Sequence, residues 1–326
     1  MIGYRRAFRA LGSLNDGGDF CYPGGVKSPL AAACGNHHRP QDGIATMSHA
    51  PSAPSDVSLQ PEEGWHCTHA FYRFRHDLLA RMSAGEIAKG RKELVSILDP
   101  EGAEAPARLQ TSTVSGQKAD FGLMLLDPDP LKIDSVHQRL MSSPIGAALE
   151  PTYSFVSLTE VSEYVPTVEQ YGARLVAEGE DPQGAAYEAK LKAYANREQA
   201  MRRQRLTPDL PPWPSTCFYP MNKSRHPQAN WFMLDTDERR RLMADHGRTG
   251  MSFGGRVTQL ITVALGLDDW EWGVTLWARN PEFLKDIVYR MRFDEASAKY
   301  AEFGPFFVSY VATAAEMLDH CRIGLK

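Results

Sequence analysis

The second half of the chain repeats the pattern of the first half, and this repeat limits the folds that the sequence can adopt. The segment FGLMLLDPDP at Phe121 aligns with WGVTLWARNP at Trp272, an offset of 151 residues. The segment YSFVS at Tyr153 aligns with PFFVS at Pro305, an offset of 152 residues. A nearly constant offset across a strand, a turn, a helix and a second strand predicts two tandem copies of one domain.

Each copy has the pattern of a small α+β unit. In the first copy the order is strand, helix, strand, helix, strand, with room for a further strand near RLQTSTVSG. This is the order of a ferredoxin-like domain. Two such sheets can pair into a dimeric α+β barrel, with a cavity where the helices cover a sheet face only partly. The predicted fold is therefore α+β, with two tandem ferredoxin-like domains forming the barrel.

Changes in composition predict the domain boundaries. Residues 1–60 mix Gly, Pro, Ser, Ala and His without periodicity, which predicts a disordered extension. Residues 61–165 and 213–326 are the predicted N-terminal and C-terminal ferredoxin-like domains. The intervening residues 166–212 contain the charged helical segment EAKLKAYANREQAMRRQR and the Pro-rich segment TPDLPPWP, which together indicate a connector.

Charge and cysteine content exclude several classes of function. The 36 Lys and Arg residues against 40 Asp and Glu residues give a net charge of −4, so no global positive field attracts nucleic acid or anionic lipid. The five cysteines form no CxxC pair, which fits neither a disulfide framework nor a zinc site and favours a cytoplasmic location. The sequence contains no run of about 18 consecutive apolar residues, so it predicts no membrane-spanning helix. We expect small molecules or copies of the same chain as partners.

His246 is the first candidate site residue. Asp235 can cap the helix DERRRLMADHG, which is expected to end at His246, and Leu242 and Met243 share the face of His246. The imidazole is therefore expected to point inward. It is either a buried, hydrogen-bonded histidine or the single nitrogen ligand of a haem iron, since one histidine suits a porphyrin better than zinc.

Polar residues on two predicted strands are further candidates. Gln259 interrupts an apolar strand, either as a hydrogen-bonded core amide or as an amide that orients a peroxide above an iron. Tyr219, Met221 and Lys223 alternate and so project from one side of their strand. That strand is either an exposed edge marked by Pro220, or it aims a phenol and an ammonium at a propionate.

Two more regions could bind carboxylates. Arg202, Arg203 and Arg205 form either a solvated helix face or a carboxylate clamp at the mouth of a site. Ser297 either hydrogen-bonds a carboxylate or caps a turn.

Several longer segments carry a family resemblance. They are CFYPMNKSR, ANWFMLDTDERRRLMADHGRTG, GRVTQL, GLDDWEWGVTLWA and VYRMRFDEASAKYAEFGPFFV. The sequence resembles the chlorite dismutase-like superfamily, specifically its coproheme decarboxylase branch of hydrogen peroxide-dependent haem synthases. The resemblance runs from about Gly64 to Phe307 and is nearly gap-free from Arg205 onward. It implies a dimeric α+β barrel, usually assembled as a homopentamer, with the haem in the C-terminal domain.

The resemblance also implies roles for individual residues. His246 matches the proximal iron ligand and Gln259 the distal glutamine. Tyr219 matches the catalytic tyrosine that becomes a radical, and Lys223 matches the lysine needed for the second propionate. The residues at positions that contact the porphyrin or its propionates are Arg205, Met221 and Ser297.

The implied activity is oxidative decarboxylation of two propionates of iron-coproporphyrin III to vinyl groups with hydrogen peroxide, which gives haem b. Iron-coproporphyrin III is then both substrate and redox cofactor. A haem-binding or haem-transfer protein, or an enzyme like chlorite dismutase or a peroxidase, is the alternative. Gln259 stands where chlorite dismutases carry arginine, which disfavours oxygen production from chlorite. The chain departs from the family in its N-terminal extension, in its longer connector and in Cys217, where some relatives have a second redox-active tyrosine.

Overall fold

The computed structural model describes residues 57–324, so most of the predicted N-terminal extension lies outside the described residues. The strands are β1 (His66–Phe74), β2 (Arg108–Val114), β3 (Phe121–Asp127), β4 (Leu149–Thr159), β5 (Ser215–Lys223), β6 (Arg225–His226), β7 (Ala229–Asn230), β8 (Val257–Val263), β9 (Trp272–Ala278), β10 (Ala301–Phe303) and β11 (Phe307–Val311). The helices are α1 (His76–Leu79), α2 (Ala84–Ile97), α3 (Pro130–Ser142), α4 (Val168–Ala177), α5 (Ala185–Leu206), α6 (Thr236–Met251), α7 (Pro281–Met291), α8 (Glu295–Ala298) and α9 (Ala314–His320). Short 3-10 helices cover Gly146–Ala148 and Trp231–Met233.

The two halves form sheets with the same strand order. In the first half the order is β2-β3-β1-β4, and in the second half it is β8-β9-β5-β11, both the ferredoxin-like arrangement. Antiparallel pairing of β4 with β8 and of β11 with β2 joins the edges of the two sheets. Within the described residues the sheet therefore closes into a barrel. This confirms the predicted α+β fold of two tandem ferredoxin-like domains, whereas their residue limits stay a prediction.

Two glycines, 151 residues apart, let aromatic rings pack inside the barrel. A Cβ atom on Gly122 would lie 2.7 Å from the Phe71 ring, and one on Gly273 would lie 2.5 Å from the Phe155 ring. Phe71 also stacks on Phe307, with ring centroids 4.0 Å apart. Both repeats therefore use glycine at the same strand position because an aromatic ring occupies the space of a side chain.

The helices cover the outer faces of the two sheets unequally. In the first half α2 and α3 pack tightly on the sheet, and α9 completes that core with Met317 and Leu318 fully buried. In the second half α6 buries only Leu242. Met221 and Ile261 on the sheet beneath are only partly buried. The sheet face under α6 is therefore the more open one, whereas α7 buries Leu284, Ile287 and Met291.

Helix α6 begins as predicted but ends later. The Asp235 carboxylate accepts the Glu238 N–H at 2.8 Å and caps the N-terminus. The helix continues past His246 to Met251, so His246 lies inside the helix and the expectation that it ends there is wrong. Gly250 lies where α7 comes close, since a Cβ there would be 3.3 Å from the Met291 methyl group. Lack of a side chain thus lets the last turn of α6 continue against α7.

The connector contains the predicted charged helix, α5, and one helix that was not predicted, α4. Tyr171 of α4 stacks on Tyr194 of α5 with ring centroids 4.1 Å apart. At the end of α5 the Leu206 carbonyl accepts the Thr159 hydroxyl at 2.7 Å, which fixes this end beside β4. Among the described residues, no helix is long and apolar enough to cross a membrane.

We expect Gly273→Ala to destabilise the protein by about 1–3 kcal/mol, because the added methyl group overpacks against the Phe155 ring. Chemical denaturation measures this change. Gly85→Ala is the matched control, since its Cβ would meet nothing closer than 4.0 Å and alanine favours the helix. Equal stability of the two variants would contradict the role assigned to Gly273.

Candidate functional site

Strand β5 presents Tyr219, Met221 and Lys223 toward the helices of the second half. It pairs with β9 on one side and with β11 and β10 on the other, so the exposed-edge interpretation is wrong. Pro220 lies opposite the passage from β10 to β11, where its carbonyl accepts the Gly304 N–H at 2.9 Å. Between the end of β10 and the start of β11, strand β5 has no strand partner on this side. Pro220 lies at this interruption, where no N–H donor is needed, and this explains a proline in an interior strand.

Tyr219 is a buried phenol in an aromatic setting. Its side chain is only 5% exposed, and it stacks on Phe306 with ring centroids 4.4 Å apart. Phe303 contacts it edge-on at 5.8 Å. Burial raises the pKa of Tyr219 well above its ordinary value, and Cys217 adds to this effect. The phenol therefore keeps its proton at neutral pH.

His246 is oriented by a carboxylate. Its Nδ1 lies 3.0 Å from Asp294 Oδ2 and 3.4 Å from Ser297 Oγ. Burial alone would raise the pKa of Asp294, but its hydrogen bonds with His246 and with the Ser297 N–H hold the pKa below its ordinary value. The carboxylate therefore selects the tautomer with the proton on Nδ1 and leaves the Nε2 lone pair available. Metal-binding histidines are commonly held in this way.

Asp294 belongs to the candidate site by its contacts, although its place in the sequence indicates only a cap. It caps α8, where its Oδ1 accepts the Ser297 N–H at 2.9 Å, and its second oxygen holds His246. The sequence signal is the Asp-x-x-Ser spacing after α7, which predicts an N-cap and nothing more. The second contact depends on α6 passing α8, 48 residues away in sequence.

Gln259 lies on β8, on the same sheet face as Tyr219. Its amide nitrogen is 3.8 Å from the position of a Cβ on Gly250, one turn after His246. The side chain is half-buried and has no hydrogen bond within the described part of the chain. It is therefore not a satisfied core amide, and its amide group is free to bind a ligand.

Lys223 is a half-buried ammonium group. Its Nζ lies 4.0 Å from the centroid of the Trp231 ring and 3.5 Å from the Ala296 carbonyl oxygen. Burial lowers the pKa of Lys223 to about 8, against the charges of Asp294 and Glu271, which raise it. No carboxylate in residues 57–324 forms an ion pair with it.

Arg205 lies on a different element, the last turn of α5. Burial lowers the pKa of its guanidinium, which has no ion pair or hydrogen bond to any described residue. By contrast Arg202 pairs with Glu63 at 2.9 Å, and Arg203 is exposed. Arg205 is thus the partly buried arginine of this group that lacks an ion pair among the described residues, and it makes no hydrogen bond with the β5 residues.

The structure brings most of the candidate residues to one region. Tyr219, Met221 and Gln259 share the helix-facing side of the second sheet, and His246 and Ser297 meet at Asp294 beside it. Within residues 57–324, no three His, Cys, Asp or Glu side chains lie close enough to hold a metal ion together. A groove of about 870 Å³ lies elsewhere, against α1 and α2, and its lining contains none of the candidate residues.

Comparison with known proteins identifies the class. The family model described as chlorite dismutase matches residues 87–312. The chain therefore belongs to the chlorite dismutase family, whose fold is the α+β barrel described above.

Two curated relatives share a more specific name. The coproheme decarboxylase of Staphylococcus carnosus is 36% identical over 264 residues, which cover 80% of this chain and 97% of that protein. The coproheme decarboxylase of Oceanobacillus iheyensis is 37% identical over 210 residues, 64% of this chain and 75% of that protein.

Solved structures agree on the fold. A structure described as a novel haem-binding protein from Thermus thermophilus has a TM-score of 0.63 and 34% identity, and the match covers 81% of this chain and 96% of that one. A chlorite dismutase from Candidatus Nitrospira defluvii has a TM-score of 0.59 at 16% identity, covering 80% of this chain and 96% of that one. This second likeness shows the fold alone.

We expect Lys223→Met to stabilise the protein at pH 7 by about 1–2 kcal/mol, because the ammonium is partly buried and its pKa in the folded state is about 8 against 10.5 for an unperturbed lysine. Between pH 8 and 10.5 the unfolded chain binds more protons at Lys223, so the free energy of unfolding of the unsubstituted protein rises with pH. Denaturation at pH 7, 9 and 10 measures this rise. Parallel behaviour of the two proteins would contradict the assigned pKa.

Proposed function

We propose that this protein uses hydrogen peroxide to convert two propionates of iron-coproporphyrin III into vinyl groups, which gives haem b. The observation that carries this proposal is the His246–Asp294 pair beside a sheet face with a buried phenol and an ammonium that no described carboxylate pairs. Relatives at 36–37% identity named coproheme decarboxylase support the same substrate.

The residues present fit an iron porphyrin with acidic side chains. His246 Nε2 is the iron ligand, because Nδ1 is committed to Asp294. Lys223 and Arg205 are cationic groups without a protein carboxylate among the described residues, and Ser297 and Tyr219 add hydroxyl groups. Guanidinium and ammonium groups bind carboxylates through charge-assisted hydrogen bonds. The remaining ligand contacts are assigned to Met221 and Gln259, with the Gln259 amide available to orient peroxide.

Each round of the reaction removes two electrons from one propionate. The propionate, one hydrogen peroxide and one proton give a vinyl group, carbon dioxide and two waters. The iron of the substrate supplies the oxidising power when it reacts with peroxide.

Tyr219 is the one-electron relay in this scheme. Because its pKa is raised, the phenol is a poor base at neutral pH. When oxidised by one electron it loses its proton, and the resulting tyrosyl takes a hydrogen atom from the β-carbon of a propionate, which restores the phenol. The substrate radical then loses a second electron together with carbon dioxide.

A haem-binding protein is the second candidate function, favoured by the likeness to the haem-binding protein of Thermus thermophilus. In that function His246 holds a porphyrin and Tyr219 performs no chemistry. Oxygen production from chlorite separates the third possibility, a chlorite dismutase.

We also propose that the protein works in the cytoplasm as a homo-oligomer, with a pentamer as the expected form. Within residues 57–324 the thiols of Cys67, Cys217 and Cys321 form no disulfide, in keeping with a reducing compartment. Tyr289 on α7 and Phe293, two residues after its end, each expose about two thirds of their surface and contact each other, which is an apolar surface suited to a subunit contact. Light scattering measures the subunit number.

We expect Tyr219→Phe to bind iron-coproporphyrin III within about threefold of the original affinity but to lose decarboxylation at least about 100-fold, because the ring remains and the O–H is gone. Mass spectrometry during a peroxide titration follows the porphyrin. The unsubstituted protein should give two successive losses of about 46 mass units, each carbon dioxide plus two hydrogens. Tyr310→Phe, at an exposed tyrosine outside the candidate site, is the control and should keep full turnover.

Two results would count against the enzyme. Unchanged turnover in Tyr219→Phe would remove this tyrosine from the mechanism. Binding without any mass loss in the unsubstituted protein would favour the haem-binding function.

We expect Asp294→Asn to weaken the iron site by about 10- to 100-fold in porphyrin affinity or turnover, because the neutral amide no longer supports His246. Asparagine caps a helix as well as aspartate does, so α8 should keep its N-cap. The iron–histidine stretching frequency of the ferrous complex, measured by resonance Raman spectroscopy, should fall. Asp235→Asn, at the cap of α6, is the control, and an equal shift there would contradict the assignment.

A further inference from the structure

Lys223 contacts an aromatic ring where an acidic partner would be expected. Its Nζ lies 4.0 Å from the Trp231 ring centroid, the range of a cation–π interaction. The only hydrogen-bond contact of Nζ among the described residues is a long one of 3.5 Å to the Ala296 carbonyl oxygen.

The two nearby carboxylates are committed to other groups. Asp294 accepts hydrogen bonds from His246 and from the Ser297 N–H, one on each oxygen. Glu271 accepts the backbone N–H of Lys223 at 2.9 Å and pairs with Arg225 through its other oxygen. Both carboxylates lower the electrostatic cost of a charged Lys223 without binding its ammonium. The ammonium therefore remains available to a ligand.

Trp231 is buried among aromatic side chains in the position that offers its face to Lys223. The β6–β7 hairpin reverses the chain after Lys223, and the Trp231 N–H donates to the Ser224 carbonyl at 2.9 Å. The ring is 3% exposed and is contacted edge-on by Tyr300 at 5.5 Å and by Tyr164 at 6.4 Å.

The same ring packs near the other parts of the candidate site. Trp231 shares a buried cluster with Leu242, one turn before His246 on α6, and with Ala296, the residue before Ser297. A carboxylate that reaches Ser297 therefore approaches the place where Lys223 is held.

We propose that the Lys223 ammonium rests on the indole face of Trp231 in the ligand-free protein. When substrate binds, the ammonium leaves this cation–π contact and forms an ion pair with a propionate carboxylate. Trp231 is then a positioning residue for the step that depends on Lys223. A charge-assisted hydrogen bond to a carboxylate is stronger than a cation–π contact, so the exchange favours the substrate. The proposal rests on the proposed function for the identity of the carboxylate, whereas the holding contact itself belongs to the ligand-free protein.

The first test uses the protein without ligand. Lysines are acetylated briefly with an N-hydroxysuccinimide ester at pH 8, and labelling at Lys223 is compared with that at the exposed Lys89 by peptide mass spectrometry. We expect Trp231→Leu to label Lys223 at least fivefold faster, because the ring both shields the amine and favours its charged form. Trp231→Phe retains an aromatic face and should stay within twofold of the original rate. Unchanged labelling in Trp231→Leu overturns the proposal.

The second test uses the protein loaded with iron-coproporphyrin III. Trp231→Leu should slow the second decarboxylation at least fivefold relative to the first, so that the singly decarboxylated porphyrin accumulates. The Trp231→Leu, Lys223→Met double variant should be no slower than Lys223→Met alone, since Trp231 acts through Lys223. Additive slowing in the double variant overturns the proposal.

Two controls keep these outcomes distinct. Trp277→Leu removes an equally buried tryptophan inside the barrel and measures the effect of general destabilisation, which should leave the ratio of the two rounds unchanged. If the unsubstituted protein decarboxylates nothing, the proposed function fails, and the labelling result still decides whether Trp231 holds Lys223.

Discussion

Antiparallel pairing between the edges of the two halves is the constraint on which the rest of the structure depends. Strand β4 pairs with β8, and β11 pairs with β2, so neither half has a complete set of strand partners without the other. Closure fixes which sheet face looks inward. As a result, Tyr219 and Lys223 lie on the outer face, toward α6 and α7. Their neighbour Phe218 lies on the inner face, where it packs with Phe71 and Phe307.

The duplicated fold gives two outer sheet faces, and the apolar core is larger on the first than on the second. In the first half, helices α2, α3 and α9 cover the sheet with apolar side chains. In the second half the equivalent face carries a phenol, an amide and an ammonium under helices that cover it partly. Asp294 then connects the cap of α8 to the imidazole of α6. The first copy thus has the more extensive apolar core, and the second combines a smaller buried cluster with polar groups.

Much of this could be predicted from the sequence, for physical reasons that differ among the residues. The repeat offset and the strand and helix periods predict the barrel, because both copies must bury the same apolar faces. Alternation along β5 predicts the common side of Tyr219 and Lys223. The roles of Asp294 and Trp231 could not be predicted, because each depends on how loops and short helices bring α6, α8 and β5 together. The predicted end of α6 was wrong, because the helix continues through Gly247, a residue type that commonly ends helices, and Gly250 then lets its last turn pack against α7.

The position of α9 has a consequence for the synthesis of the protein. Strand β11 and helix α9 come from the second half of the chain, yet Met317 and Leu318 complete the core of the first half and β11 supplies the missing partner of β2. A nascent chain on the ribosome therefore lacks part of the first core until almost the whole described sequence has emerged. The first half therefore cannot complete its core alone, and part of its apolar surface stays uncovered until β11 and α9 have been made.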